Sequence, residues 1–309
     1  MASWQRVFVA FLFVFAVTPI HSQDTTPPLQ VAITFDDLPT HGELPPEESR
    51  LQIAQSILAT LRQQKLQPVY GFLNAEKVGD DPKTLAVLKA WRAAGQPLGS
   101  HTWSHPDFDA MRPEAFEADI AKNEPLLQQL AGDTDWHWLR YPYLREGDTL
   151  AKRQEVQAYL KQHGYKVAEV SIDFEDYLWN NPYARCAARH DDAAITSLEK
   201  SYLATADQYI TVFRELTRQL YGREIPYVLL LHIGAFDAKM LPQLLQLFRD
   251  RGFTFITLQE AEHDPIYDVF HSSSFEVGGG TLQEMDAATR KIKIHAPAKP
   301  YKELEAICR

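Results

Sequence analysis

The chain has 309 residues, with 41 acidic and 31 basic side chains and a formal net charge of −10 at neutral pH. No basic stripe offsets this charge, so the composition argues against nucleic acid or an anionic membrane surface as a partner, and a neutral or basic polymer fits better. The length fits one α/β barrel, since such barrels run about 200 to 250 residues as a single domain.

The N-terminal stretch, residues 1–22, has the features of a secretory signal peptide. Arg6 supplies the basic region, Val7–Val17 is an unbroken apolar run, and Ile20 and Ser22 are candidates for the −3 and −1 positions of a cleavage site. The run is too short for a bilayer, which needs about 20 apolar residues. We therefore predict an exported protein, periplasmic or secreted, without a stable membrane span; an uncleaved amphipathic anchor is the alternative.

Seven short apolar segments separated by amphipathic segments predict a parallel sheet covered by helices. The predicted strands are Leu29–Phe35, Val69–Leu73, Pro97–Ser100, Trp136–Arg140, Tyr165–Ile172, Tyr227–Leu231 and Phe253–Thr257. The main predicted helices begin after Pro46 and then cover Lys83–Ala94, Pro113–Leu130, Leu150–His163, Asp191–Tyr221 and Leu241–Arg251. We expect one catalytic domain over residues 28–264 and a C-terminal extension, residues 265–309, packed on the outside of the barrel.

Reactive side chains follow five of the predicted strands. They are Asp36, Asp37, His101, His105, Arg140, Asp173 and His232. Barrel enzymes place their chemistry at the rim formed by the carboxyl ends of the strands. We therefore expect these side chains to converge, although each has a structural alternative: a solvated turn for the paired aspartates, a core position for His232 and a surface ion pair for Arg140.

The stretch L-G-S-H-T-W-S-H-P indicates a metal site. One turn of helix would place His101 and His105 on the same face, about 5 to 6 Å apart at Cβ, and Pro106 should end that turn. A catalytic zinc ion uses three protein ligands, and a carboxylate is a usual third partner of two imidazoles. Because neighbouring side chains at a strand end diverge, one of Asp36 and Asp37 can be the ligand and the other a base.

Five motifs follow one another along the chain: T-F-D-D at 34–37, H-T-W-S-H at 101–105, R-Y-P-Y at 140–143, S-I-D-F-E-D-Y at 171–177 and L-L-H at 230–232. In this order, over about Val31–Leu258, they resemble the polysaccharide deacetylase family, the NodB homology domain of carbohydrate esterase family 4. The resemblance implies a distorted (β/α)7 TIM-like barrel with a metal-dependent hydrolytic site.

The resemblance also implies a role for each motif residue. Asp36 would be the base, held by Arg140, while Asp37, His101 and His105 would bind a divalent metal, with zinc preferred and cobalt or another divalent transition metal as alternatives. The backbone N–H of Tyr143 would bind the oxyanion. His232 would be the catalytic acid, oriented by Asp173, with Leu230 on the pocket wall.

The sequence departs from the family pattern at two positions that shape the pocket. Leu38 stands where glycine is common, and Tyr177 stands where tryptophan is usual, although Trp179 is close. The long segment between Asn180 and Ile225 can also wall off the groove.

Together these features predict an enzyme that removes N-acetyl groups from the amino sugars of an exported or cell-wall glycan. An O-deacetylase of the acetylxylan type is the alternative on the same fold. Less favoured are a glycan-binding protein that has lost turnover and a non-haem iron enzyme, which uses a similar pair of histidines and a carboxylate.

Cys186 and Cys308 are the only two cysteines. An even number in a chain that carries an export signal predicts one disulfide. Two unpaired buried thiols are the alternative.

Overall fold

The structure is a computed structural model that describes residue 1 and residues 28–79, 82–272 and 278–309. Apart from its first residue, the predicted signal peptide therefore lies outside the described residues. Within these ranges no helix combines the length and apolar character that a membrane span requires.

Among the described residues, seven parallel strands form one sheet, as the sequence predicts. They are β1 (Leu29–Leu38), β2 (Tyr70–Leu73), β3 (Leu98–Ser100), β4 (Trp138–Leu139), β5 (Lys166–Val167), β6 (Tyr227–His232) and β7 (Phe253–Ile256). The strand order is β5-β4-β3-β2-β1-β6, and β7 also pairs with β1. Val31 and Ala32 pair with both β6 and β7, so these two strands lie on opposite edges of β1.

Helices follow the strands along the chain. They are α1 (Arg50–Gln63), α2 (Pro82–Ala93), α3 (Pro113–Ala131), α4 (Leu150–Gln162), α5 (Asn180–Ala188), α6 (Asp192–Tyr221), α7 (Ala235–Asp250), α8 (Leu258–Ala261), α9 (Pro265–Ser272), α10 (Leu282–Thr289) and α11 (Tyr301–Ala306). The long α6 begins where the Asp191 carboxylate caps the N–H of Ala194 and ends at Gly222, which adopts the left-handed conformation (φ 70°) that glycine tolerates. Helix α7 begins earlier than predicted.

The barrel is open between β5 and β6. After Val167 the chain leaves the ladder with β4 and crosses to β6, where the N–H of Ser171 donates to the carbonyl of Val228 at 3.0 Å. An isolated parallel bridge between Ile172 and Leu229 joins the two sides. This crossing explains why β5 is shorter than the predicted strand, and the architecture is the distorted α/β barrel that the motifs imply.

The C-terminal extension packs into the open side of the barrel. The N–H of Leu282, at the start of α10, donates to the carbonyl of Val170 at 2.7 Å. Leu282, Met285 and Leu304 are buried in the main hydrophobic core. The extension is therefore continuous with the core, and it also reaches the cavity described below, so it is not confined to the outside of the barrel.

A disulfide joins the extension to α5. The sulfur atoms of Cys186 and Cys308 are 2.11 Å apart, across a sequence separation of 122 residues. The predicted disulfide is confirmed, and the alternative of two free thiols is wrong.

Candidate active site

The paired aspartates lie within the last residues of β1, because this strand continues to Leu38. The register between β1 and β2 shifts between Phe35 and Leu38, and Asp37 has a left-handed backbone (φ 68°). Such an irregularity at the end of a strand redirects a side chain. On the other edge of β1, Asp36 is the register partner of His232, which brings the expected base and the expected acid to adjacent strands.

Arg140 holds Asp36 in a buried ion pair. The guanidinium NH1 lies 3.2 Å from both carboxylate oxygens, and Nε donates to the carbonyl of Ala168 at 2.6 Å. Both side chains are at most 2% exposed. Burial raises the pKa of Asp36, and the positive charge of Arg140 partly opposes that rise.

The segment from His101 to His105 is a bent loop and not the helical turn that the spacing predicts. His105 adopts a left-handed conformation (φ 56°). The Asp119 carboxylate accepts hydrogen bonds from the N–H groups of Trp103 and Ser104 at 2.9 and 3.0 Å. These hydrogen bonds replace the backbone hydrogen bonds that the two N–H groups would make in a helix. The loop still brings the two imidazole rings together, with centroids 4.7 Å apart.

Asp37, His101 and His105 form a donor set that fits one metal ion. Oδ1 of Asp37 lies 3.9 Å from Nε2 of His101 and 3.6 Å from Nε2 of His105. Ligands at about 2 Å from a common ion stand roughly 3 to 4 Å from one another.

The protonation states of the two imidazoles also suit a metal ion. Nδ1 of His101 lies 2.8 Å from the carbonyl oxygen of Arg140, so this nitrogen donates and Nε2 keeps its lone pair. Burial lowers the pKa of His101 and of His105 to about 3, so both are neutral at neutral pH, as ligands must be.

Asp37 has two further partners that the motif analysis does not identify. Nδ1 of His41 lies 2.7 Å from Oδ2, and Nζ of Lys77 lies 2.6 Å from Oδ1. Burial alone would raise the pKa of Asp37, but the His41 hydrogen bond and the Lys77 charge hold it well below its usual value. The sequence shows His41 close to the acid pair, whereas nothing in the pattern around Lys77 indicates a contact with the site.

The partner of His232 is Asp176 and not Asp173. Nδ1 of His232 lies 2.8 Å from Oδ1 of Asp176, and the backbone N–H of His232 donates to Oδ2 at 2.6 Å. Oδ1 of Asp173 instead accepts from the N–H of Glu175 at 2.7 Å. The prediction that Asp173 orients the acid is therefore wrong, because the left-handed backbone at Glu175 (φ 59°) and the following 3-10 turn direct Asp176 toward β6.

A second buried carboxyl group, that of Asp237, interacts with Asp176. Its Oδ1 accepts a hydrogen bond from the hydroxyl of Tyr202 at 2.8 Å. Burial raises the pKa of both carboxyl groups well above the usual value, and the charge of Asp176 raises the pKa of Asp237 further. The hydrogen bond from the backbone N–H of His232 opposes the rise at Asp176, so of the two we assign the proton to Asp237.

One cavity of about 520 Å³ is lined by the expected base, the metal donor set and His232. Its lining includes Asp36, Asp37, His41, His101, His105, Tyr143, Asp173, Glu175, Tyr177, Leu230 and His232, together with Gly280, Glu284 and Lys299 from the extension. Tyr143 has a left-handed backbone (φ 57°) and stacks edge-on against His105, with ring centroids 4.5 Å apart. The structure thus brings every predicted site residue to the cavity, except that Arg140 lies behind Asp36.

The sequence is similar to those of known deacetylases. Residues 23–168 match the polysaccharide deacetylase family model. A peptidoglycan-N-acetylglucosamine deacetylase of Bacillus cereus is 27% identical over 150 residues, which cover 48% of this chain and 46% of that protein. A chitin deacetylase of Colletotrichum lindemuthianum is 26% identical over 207 residues, covering 65% and 72% of the two chains. The chain spans less than half the length of the first of these relatives.

Solved structures share the fold. The chitin deacetylase from Colletotrichum lindemuthianum superposes with a TM-score of 0.54 at 19% identity, over 76% of this chain and 88% of that one. A pseudoenzyme of carbohydrate esterase family 4 from Bacillus anthracis superposes with a TM-score of 0.52 at 14% identity, over 76% and 65% of the two chains. The chain therefore shares the fold of these structures, and over residues 23–168 its sequence is similar to the polysaccharide deacetylase family.

Proposed function

We propose that the protein is a metal-dependent hydrolase that removes N-acetyl groups from the amino sugars of an exported or cell-wall glycan. The observation that carries the proposal is the convergence on one cavity of a buried Asp36–Arg140 pair, the Asp37, His101 and His105 donor set, and a His232 ring oriented by Asp176. The fold alone does not decide the activity, since a pseudoenzyme shares it. The intact donor set, base and acid support turnover.

A divalent ion bound by Asp37, His101 and His105, with zinc preferred, would supply Lewis acidity that makes a water molecule acidic and polarises a carbonyl oxygen. Oδ2 of Asp36 lies 3.8 Å from Nε2 of His101, so the base borders the same space as the donor set. Arg140 fixes this carboxylate from behind. Asp36 is therefore placed to accept a proton from a water molecule that attacks the amide carbon.

His232 is suited to protonate the leaving nitrogen. Its Nδ1 is engaged by Asp176, which leaves Nε2 for the substrate. Protonation of the amine allows the C–N bond to break, because an amide nitrogen leaves poorly as an anion. The backbone N–H of Tyr143, in the left-handed turn at the cavity wall, is assigned to the developing oxyanion, where one such donor contributes about 3 to 4 kcal/mol in other hydrolases.

The test is acetate release by the zinc-loaded protein from chitotetraose and from acetylxylan, with products identified by mass spectrometry. We expect a free amino group and one equivalent of acetate from chitotetraose. Asp36→Asn and His232→Ala should each lower kcat/KM by about 100-fold or more. Acetate from acetylxylan alone would assign the O-deacetylase instead, and glycan binding without acetate from either substrate would assign a binding protein.

An exported location is part of the proposal. It is supported by the signal-peptide pattern of residues 1–22 and by the Cys186–Cys308 disulfide, since such bonds persist in oxidising compartments. Cell fractionation followed by N-terminal sequencing of the mature protein tests it. A cytoplasmic protein that keeps Met1 would contradict it.

A further inference from the structure

Three residues of the C-terminal extension line the active-site cavity, although the sequence leads us to expect the extension on the outside of the barrel. Gly280, Glu284 and Lys299 border the same space as Asp173 and Glu175. The match to the family model ends at residue 168, so these three residues lie outside the segment that it covers. Their position raises the question of what they contact when substrate is bound.

The extension closes the cavity between the loops that follow β4 and β5. On the β4 side, the N–H of Gly280 donates to the carbonyl of Leu144 at 3.0 Å. On the β5 side, Nζ of Lys299 lies 3.1 Å from Oε1 of Glu175, and the hydroxyl of Tyr301 donates to Oε2 at 2.5 Å. The extension therefore contacts both loops, and its residues Gly280, Glu284 and Lys299 form one wall of the cavity.

This wall is held in place from behind. The Cys186–Cys308 disulfide fixes the end of the chain to α5, and Arg185 donates to the carbonyl of Leu304, within α11, at 2.9 Å. The hydroxyl of Tyr209 donates to the carbonyl of Pro297 at 3.0 Å, just before Lys299. A wall fixed in this way loses little conformational entropy when it binds a ligand.

Exposed aromatic rings surround the cavity mouth. Among the described residues, the aromatic side chains that stand out as exposed are Tyr143, Tyr177 and Tyr301, at 60%, 39% and 51%. Two of them line the cavity, and Tyr301 bonds to the cavity residue Glu175. An exposed tyrosine offers an apolar face and a polar tip, which suits a pyranose ring with its apolar face and peripheral hydroxyls.

The charges on this wall favour a neutral sugar. The ammonium group of Lys299 is paired with Glu175, so it is not free to attract an anionic substrate. Oε2 of Glu284 accepts the N–H and hydroxyl of Thr281 at 2.8 and 2.9 Å, which fixes this carboxylate at the edge of the cavity. Both groups retain hydrogen-bonding capacity for sugar hydroxyls.

We propose that Glu284, Lys299 and Tyr301 form a sugar-binding subsite for the residue next to the one that is deacetylated. This inference rests on the proposed function and adds a substrate class to it: neutral amino-sugar oligomers of two or more units, with the free monosaccharide as a poor substrate. Tyr301 stacks on the face of the neighbouring ring, and Lys299 and Glu284 bind its hydroxyls.

The experiment measures kcat/KM for N-acetylglucosamine oligomers of one to six units. Lys299→Ala and Tyr301→Ala should lower kcat/KM for the tetramer by about tenfold, the equivalent of about 1.4 kcal/mol, mainly through KM. The value for the monosaccharide should change less than twofold. Lys302→Ala is the control for the change of charge, because Lys302 is exposed in α11, and it should leave kcat/KM unchanged for every oligomer. Tyr301→Phe keeps the aromatic ring and should retain most of the tetramer activity.

Two results would overturn the subsite. The first is an equal fall in kcat/KM of Lys299→Ala and Tyr301→Ala at every oligomer length, which would show that the extension acts only on the structure of the site. The second is an unchanged kcat/KM in both variants. If the wild type deacetylates no glycan, the proposed function fails separately. In that case the subsite is tested by binding: full-length Asp36→Asn protein and the Asp36→Asn/Tyr301→Ala protein are each titrated with chitotetraose in a calorimeter. Equal affinities of the two proteins would also overturn the subsite.

Discussion

Nδ1 of His232 lies 2.8 Å from Oδ1 of Asp176, while the backbone N–H of the same histidine donates to Oδ2 at 2.6 Å. This two-point contact fixes the ring orientation and requires the proton on Nδ1, so that Nε2 faces substrate. Asp176 is fully buried, so this contact is shielded from solvent. Asp173, in the same motif, lines the cavity instead.

Replacing Asp176 with Asn should lower kcat/KM at neutral pH by about 100-fold or more. The amide keeps the shape of the side chain, but its NH2 group cannot accept a hydrogen bond, whereas the two carboxylate oxygens face Nδ1 and the backbone N–H of His232. One of the two contacts that orient the ring is therefore lost. The measurement is kcat and KM of the variant, with metal content determined in parallel to show that the donor set is intact.

Asp173→Asn is the matched control, because it makes the same chemical change three residues away in a side chain that accepts a hydrogen bond from the N–H of Glu175 instead. Its kcat/KM should fall much less than that of Asp176→Asn. A larger fall in Asp173→Asn than in Asp176→Asn would reverse the assignment.

Asp237→Asn should change how stability depends on pH. The pKa of Asp237 is raised by burial in the folded protein, so its contribution to folding is greatest at low pH. That contribution is lost as the pH rises from the pKa of the unfolded state, about 4, toward the raised pKa of the folded state. Asparagine does not ionise, so the thermal midpoint of Asp237→Asn should decline less between about pH 4 and pH 9 than that of the wild type.

The exposed Asp133→Asn protein provides the comparison for this measurement, since it removes a carboxyl group from a surface turn. The thermal midpoint of Asp133→Asn should change with pH in the same way as that of the wild type. If Asp237→Asn also follows the wild type, Asp237 is not the protonated member of the pair.

The sequence predicts the strand positions well, because each strand is a short apolar run next to a turn signal. It also places the reactive residues at one rim, since parallel strands end on the same side of a sheet. It does not distinguish Asp173 from Asp176: the motif contains both, and the left-handed backbone at Glu175 decides which one reaches β6. The position of Lys299 depends on pairing with Glu175 across a long separation, which local patterns do not encode.

The His101–His105 loop is a second place where the sequence predicts which side chains meet but not the backbone conformation that brings them together. The spacing correctly predicts that the two rings approach each other, while the helical turn is replaced by a loop because Asp119, in α3, binds the backbone N–H groups of Trp103 and Ser104. A contact from a distant helix is a tertiary effect, and local propensity does not anticipate it.

His105→Ala should lower metal content and activity together. The change removes one of the three side chains in the donor set, and a site with two protein ligands retains zinc poorly. The measurement is elemental analysis after dialysis against a weak chelator, with acetate release on the same samples. His163→Ala, which alters a ring stacked on Tyr159 away from the cavity, should keep full metal content. A His105→Ala protein with unchanged zinc would refute the ligand assignment.

Reduction of the Cys186–Cys308 disulfide should lower both stability and the preference for long substrates. A closed loop of 122 residues corresponds to about 5 kcal/mol in the chain-entropy model. We expect the free energy of unfolding, measured with urea, to fall by up to that amount when reductant is added to the wild type. The Cys186→Ala/Cys308→Ala protein is the control for the reductant itself, and its free energy of unfolding should not change when reductant is added.

The disulfide should also affect substrate preference. Because it anchors the wall that carries Lys299 and Tyr301, the double variant should lose more activity on the tetramer than on the monosaccharide. A double variant that is less stable but keeps the wild-type dependence on oligomer length would show that the disulfide stabilises the fold without positioning the wall.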